Sequence, residues 1–191
     1  MRILLLTGPD ADLSLPFLRG EDVEQRWTPI TPQIAEKYDL GLSWGYRHIV
    51  KPDVLDVLQI ANCHIALLPM CRGADPCLWG WIEGVHGVTA HWMSKQVDAG
   101  PIISQKKVFM SAPQHTLRTS YQVLQREMGK ELTWAWEDVV AKKDGTPQVG
   151  KSSLHRTKDL SDLKTWLATQ EGWDTPVEKM LAHYRGSTVP T

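Results

Sequence analysis

Residues 59–68 read QIANCHIALL and are closed by Pro69. A run that is apolar at most positions and bounded by proline describes a strand buried on both faces of a sheet. Asn62 and His64 stand two residues apart, so on a strand their side chains project to the same face. A carboxamide and an imidazole therefore stand side by side near the carboxyl end of a central strand, where open α/β sheets bind ligands. Two buried polar residues satisfied by their neighbours would give the same pattern. For an isolated Asn-x-His that simpler account carries more weight.

Outward from this strand the chain alternates between the two periods. Residues 2–7 are an apolar run ending at Thr7-Gly8-Pro9, a strand followed by a turn. Residues 10–38 are broken by Pro16, Gly20, Pro29 and Pro32 and hold at most one short helix and one short strand. A second buried strand is expected over 39–44, and a short helix over 51–58 with Pro52 near its start. Asp75-Pro76 offers an N-cap and a first-turn proline for a helix that Gly84 ends. Strands follow at 87–92 and 101–109. The longest helix is expected over 117–142, with Leu117, Tyr121, Leu124, Met128, Leu132 and Trp136 recurring at three and four. Asp144-Gly145-Thr146-Pro147 stops it. Two short helices are expected near 160–168 and from Thr175. This alternation predicts an α/β protein with a largely parallel sheet. Gly80, Gly84 and Gly87 have the wrong spacing for a dinucleotide fingerprint.

The 191 residues suit one domain able to bury a core without staples. A net charge of −1 gives no basic field to draw nucleic acid. Cys63, Cys71 and Cys77 are separated by seven and five residues, which matches no common zinc pattern. The expectation is three reduced thiols and no metal. No stretch approaches the length of a membrane span, so a cytoplasmic protein is expected.

The surroundings of Asn62-x-His64 change its weight. Leu67-Leu68-Pro69, Arg72-Gly73, Pro76, Gly87-Val88-Thr89-x-His91 and Asp98-x-Gly100-Pro101-Ile102 follow in order. This succession, over residues 39–110, resembles the folate-dependent formyltransferase family, which includes methionyl-tRNA, glycinamide ribonucleotide and sugar N-formyltransferases. A weaker likeness continues to Gln148. The resemblance implies a Rossmann-like formyltransferase fold, 10-formyltetrahydrofolate as donor, and Asn62, His64 and Asp98 as the catalytic trio. It places the folate beside Ser43, Trp44, Tyr46, Arg47 and Val97, with Trp44 and Tyr46 equally open to a core role. Arg72, Gly73 and His91 are the acceptor-binding candidates. Arg72 is equally open to a structural ion pair, and packing is the favoured alternative for His91.

The chemistry suits those roles. Formyl transfer to an amine develops an oxyanion, which an amide N–H of Asn62 can bind. His64 can take the amine's proton or stabilise the oxyanion when charged. Asp98 can orient the ring and balance its charge.

Two departures from the family bear on the fold. Only 61 residues precede Asn62, so the first β-α units are expected to be trimmed, which puts a standard folate pocket wall in question. Residues 151–191 are too short and too helical for the β-barrel of a tRNA formyltransferase. They resemble instead the tails of short formyltransferase-like proteins of surface-sugar biosynthesis. The division expected is a catalytic domain over 1–150 and a helical extension over 151–191. An amino sugar on a nucleotide is the first acceptor expected and a glycinamide ribonucleotide-type amine the second. A formyltetrahydrofolate hydrolase and a non-catalytic folate binder stay as alternatives. The long helix offers a seam for a homodimer and, equally, a stripe for the chain's own core.

Overall fold

The computed structural model describes residues 1–9 and 15–187. In chain order its strands are β1 (Arg2–Thr7), β2 (Asp22–Arg26), β3 (Leu40–Trp44), β4 (Ile60–His64), β5 (Arg72–Gly73), β6 (Gly87–Trp92), β7 (Ile102–Lys107) and β8 (Leu154–His155). The helices are α1 (Pro32–Ala35), α2 (Pro52–Leu55), α3 (Pro76–Glu83), α4 (Leu117–Val140), α5 (Ser161–Ala168) and α6 (Val177–Ser187). A 3-10 turn at Pro16–Leu18 lies between β1 and β2. Residues 10–14 of the stretch that resisted reading fall outside the described residues.

Six strands form one sheet in the order β2-β1-β3-β4-β6-β7. The first four are parallel, and β6 is antiparallel to both β4 and β7. Ile3, Leu4, Leu5 and Leu6 are all buried because β1 has a strand on each side and a covered face above and below. One face packs on α4, whose Leu124, Met128, Leu132 and Val139 join Ile3, Leu42, Val88 and Trp92. The stripe predicted for the long helix is thus used by the chain's own sheet. The other face buries Leu4, Leu6, Val54 and Ile60 with Tyr38, under the single helical turns α1 and α2. Short crossovers on this side agree with the expected economy at the start of the chain. A third cluster joins Leu78, Trp79 and Trp81 of α3 to Leu163, Leu167, Met180 and Leu181 of α5 and α6.

Several elements differ in extent or mechanism from expectation. The central strand ends at His64, not at residue 68. Beyond it the Ala66 carbonyl accepts from Thr89 Oγ1 and the Leu68 N–H donates to the same oxygen. Side chains of neighbouring strands replace the ladder, and His64 becomes the last strand residue. Asp75 precedes α3 as predicted, but in the left-handed region (φ 57) and with no side-chain cap. Its carboxylate instead takes Lys164 of α5 at 2.6 Å. Gly84 ends α3 at φ 71, as a C-terminal glycine should. α4 opens on a capping box between Thr116 and Thr119.

Candidate active site

The carboxyl end of β4 carries the chemistry because two neighbours bring partners to it. In the β4–β6 pairing Asn62 lies opposite His91. Asn62 Nδ2 is 3.1 Å from His91 Nε2 and 3.2 Å from Asp98 Oδ1. His91 Nδ1 lies 2.9 Å from the Trp92 carbonyl, which can only accept, so Nδ1 carries the proton and Nε2 accepts from Asn62. Both amide hydrogens of Asn62 are therefore engaged. His64 is buried, with Nε2–H donating to the Cys71 carbonyl at 2.9 Å and Nδ1 facing Asp98 Oδ2 at 3.6 Å. The Gly73 N–H donates to the same carboxylate oxygen at 2.8 Å.

Burial alone would raise the Asp98 carboxyl. The His64 and His91 rings beside it and the Gly73 N–H outweigh it and hold the group well below the usual carboxylate range. Asp98 is thus an anion enclosed by donors, with its side chain only 14% exposed.

The loop that presents Asp98 is fixed by two features. Asp98 itself has φ 48, a left-handed conformation that Asp tolerates better than most residues. A Cβ on Gly100 would lie 1.8 Å from the Trp92 carbonyl oxygen, so only glycine lets the loop pass. Gln148 then clamps it from outside. Its Nε2 donates to the Asp98 and Gly100 carbonyls at 2.8 and 2.7 Å, and its Oε1 accepts from Arg72 Nε and Nη2 at 3.1 and 2.6 Å. Gln148 is brought there by the bridge between Ile102 and Thr146.

The site candidates therefore separate. Asn62, His64 and Asp98 meet, and His91 and Gly73 meet with them. His91 is 1% exposed and both ring nitrogens are used, which is the packing and orienting alternative favoured for it in the sequence. The Gly73 N–H serves Asp98. Arg72 is held by Gln148 and, among the described residues, has no carboxylate partner. Ser43 is buried, and Trp44 is a core residue whose Nε1 donates to Gln125 of α4 at 2.8 Å. That is the core role the sequence left equally open to Trp44. Tyr46, Arg47 and Val97 stay on loops, with Val97 and Arg47 exposed. Tyr46 and Met93 pack on the same apolar cluster, so the loops after β3 and β6 share one floor. Two residues of the site had no motif to announce them: Gln148 and Gln105, whose Nε2 holds the Leu68 carbonyl at 2.7 Å.

Burial pushes the thiols of Cys63, Cys71 and Cys77 up, and among the described residues no group of His, Cys, Asp and Glu is arranged to hold a metal. Among the same residues no helix is long and apolar enough to cross a membrane.

Residues 31–134 match the family model described as formyl transferase. The chain belongs to the formyl transferase family. It is similar over 94% of its length, at 35% identity and a TM-score of 0.83, to the formyltransferase PseJ from Anoxybacillus kamchatkensis, of which 97% is covered. That structure contains UDP-4,6-dideoxy-4-formamido-L-AltNAc and tetrahydrofolate. A sugar N-formyltransferase from a Shewanella species shares the fold at 21% identity and a TM-score of 0.75, over 86% of this chain and 80% of the other. A 4-N formyltransferase from Francisella tularensis does so at 19% and 0.74, over 85% and 79%.

Proposed function

We propose that this protein transfers a formyl group from 10-formyltetrahydrofolate to the primary amine of an amino sugar carried on a nucleotide. The observation that carries the reading is the convergence of Asn62, His64 and His91 on the buried Asp98 carboxylate. Family membership supports the folate donor, and the sugar nucleotide found with PseJ supports the acceptor class. The apolar floor shared by Tyr46 and Met93 fits a pterin lodged between the loops after β3 and β6. Residues 1–150 act as the catalytic unit in this reading, with 151–191 as a helical extension braced against it.

The donor supplies an activated formyl carbon: the amine nitrogen bonds to it, and the bond from that carbon to the folate N10 then breaks, so that tetrahydrofolate leaves with the proton the amine gives up. Attack by the amine places negative charge on the formyl oxygen and a proton to be removed on the nitrogen. Asn62 meets the first need. Its longer contact, the 3.2 Å bond to Asp98, is the one an oxyanion would replace, while His91 keeps the amide oriented. His64 meets the second through Nδ1, the ring nitrogen not tied to Cys71, and the imidazolium so formed faces the Asp98 carboxylate. Arg72, with no carboxylate partner among the described residues, is the cation available to a phosphate of the acceptor.

The test is a coupled assay with 10-formyltetrahydrofolate and a UDP-linked 4-amino-4,6-dideoxy sugar. The expected result is a formamido sugar and tetrahydrofolate in equal amounts. Formate released at the same rate without any amine would instead make the protein a hydrolase.

A further inference from the structure

Adjoining the site through Cys71 lies a second polar network. Glu83, the last residue of α3, receives three donors. The Cys71 thiol donates to Oε2 at 3.2 Å, the Ser153 hydroxyl to the same oxygen at 2.9 Å, and His155 Nε2–H to Oε1 at 2.7 Å. The Ser153 oxygen in turn accepts the Cys71 N–H at 2.7 Å. Cys71 sits at φ 57, a conformation that a non-glycine residue keeps only when its surroundings hold it. The His155 ring is fixed by stacking on Trp79, with centroids 3.6 Å apart and planes 8° from parallel.

The network matters because of what the same segment does on its other side. The Cys71 carbonyl is the partner of His64 Nε2, and the Gly73 N–H is a partner of Asp98. Ser153 precedes β8 and His155 is its last residue, and β8 pairs with β5 at Arg72 and Gly73. A Cβ on Gly73 would lie 2.2 Å from the His155 carbonyl oxygen, so the two strands are in close register. Burial would raise the Glu83 carboxyl, but Cys71, Ser153 and His155 together keep it lowered, as a carboxylate accepting three hydrogen bonds should be. Such an acceptor has no equal among neutral side chains, because an amide offers one oxygen and not two.

We infer that Glu83 is a positioning residue for the transfer reaction. It gathers Ser153 and His155 of the C-terminal extension onto Cys71, and so fixes the carbonyl that sets the orientation and tautomer of His64. The inference rests on His64 being catalytic, and it also makes the extension part of the active-site support and not a separate appendage.

The test uses the full chain with Glu83→Gln and, as a gentler change, Ser153→Ala. Three quantities are read: thermal stability, the 15N resonances of the His64 ring, which report which nitrogen carries the proton, and kcat and KM with 10-formyltetrahydrofolate and the UDP-linked 4-amino sugar. The expected result is a loss of the Nε2–H preference of His64 and a fall in kcat of about tenfold or more, with KM changed far less. Folded Glu83→Gln with the wild-type His64 resonances and kcat would overturn the inference. If that variant does not fold, Ser153→Ala decides on the same readings. His64→Ala in the same assay separates the two levels of the argument. Full turnover in that variant removes His64 from the chemistry, whereas its loss beside an unaltered Glu83→Gln removes only Glu83.

Discussion

Two pairs of buried or half-buried histidines lie in this molecule, and they are held in opposite ways. His64 and His91, with centroids 6.4 Å apart, have every ring nitrogen facing a partner and a carboxylate between them. His86 lies against Trp81 at 4.2 Å, with the His115 ring 6.1 Å from the same indole, and its buried Nδ1 has no hydrogen-bond partner among the described residues. Burial and the charge of His115 push the His86 pKa down to about 4. In the proposed mechanism His64 of the first pair moves a proton while His91 orients Asn62. The second serves as core and merely tolerates its polarity. The difference comes not from the residue type but from whether an anion was buried alongside it.

Changes to the first pair should have the largest effect. His64→Ala is expected to lower turnover by ~10²–10⁴-fold and Asn62→Ala by ~10²–10³-fold, with folate binding retained, as steady-state kinetics beside binding of 5-formyltetrahydrofolate would show. Near-normal turnover in Asn62→Ala would remove the oxyanion role. Next comes the loop that carries the anion. Gly100→Ala must displace the Trp92 carbonyl or the loop itself, at a cost of about 2–4 kcal/mol in unfolding free energy together with most of the activity. Unchanged stability by denaturant titration would mean that the loop is looser than its geometry implies.

The second pair should appear in stability and not in rate. Because the folded protein holds His86 neutral down to about pH 4, the unfolded chain binds the extra proton first as pH falls from about 6.5. Stability is then full above that pH and falls by about 1–2 kcal/mol on the way to pH 4, after allowance for screening. His86→Leu should flatten this window while leaving the loss below pH 4 that belongs to Asp98. An unaltered acid limb would locate the sensitivity elsewhere. The smallest effect expected is that of Gln148→Ala. Loss of its four contacts should cost about 1 kcal/mol and weaken acceptor binding through Arg72. A change in kcat alone would show that the clamp acts on Asp98 instead.

Much of this was legible in the residues. The Asn62, His64 and Asp98 motifs, the helix after Pro76 and the long apolar stripe of α4 carry local signals that tertiary structure did not overrule. β2 was not, because its sequence, DVEQR, is that of a polar edge strand with only one apolar residue. The end of β4 was missed because Thr89 and Gln105 satisfy the backbone after His64, and no pattern within residues 59–68 reveals a partner on another strand. The antiparallel return of β6 was hidden for the same reason. Glu83, Ser153 and His155 were invisible because they come together only when α3 and β8 meet, from positions 70 residues apart. Trp44 went the other way. Its place beside the site in sequence suggested a ligand contact, but alternation along β3 sends it to α4.

The claim at the centre of the account is that a buried Asp98 anion organises the catalytic groups. It is tested most directly by the rate of formamido-sugar formation in Asp98→Asn beside wild type, both saturated with 10-formyltetrahydrofolate. The account expects a folded variant that turns over at least about a hundredfold more slowly, because the amide cannot balance the charge on His64. A folded Asp98→Asn enzyme working at the wild-type rate would contradict it.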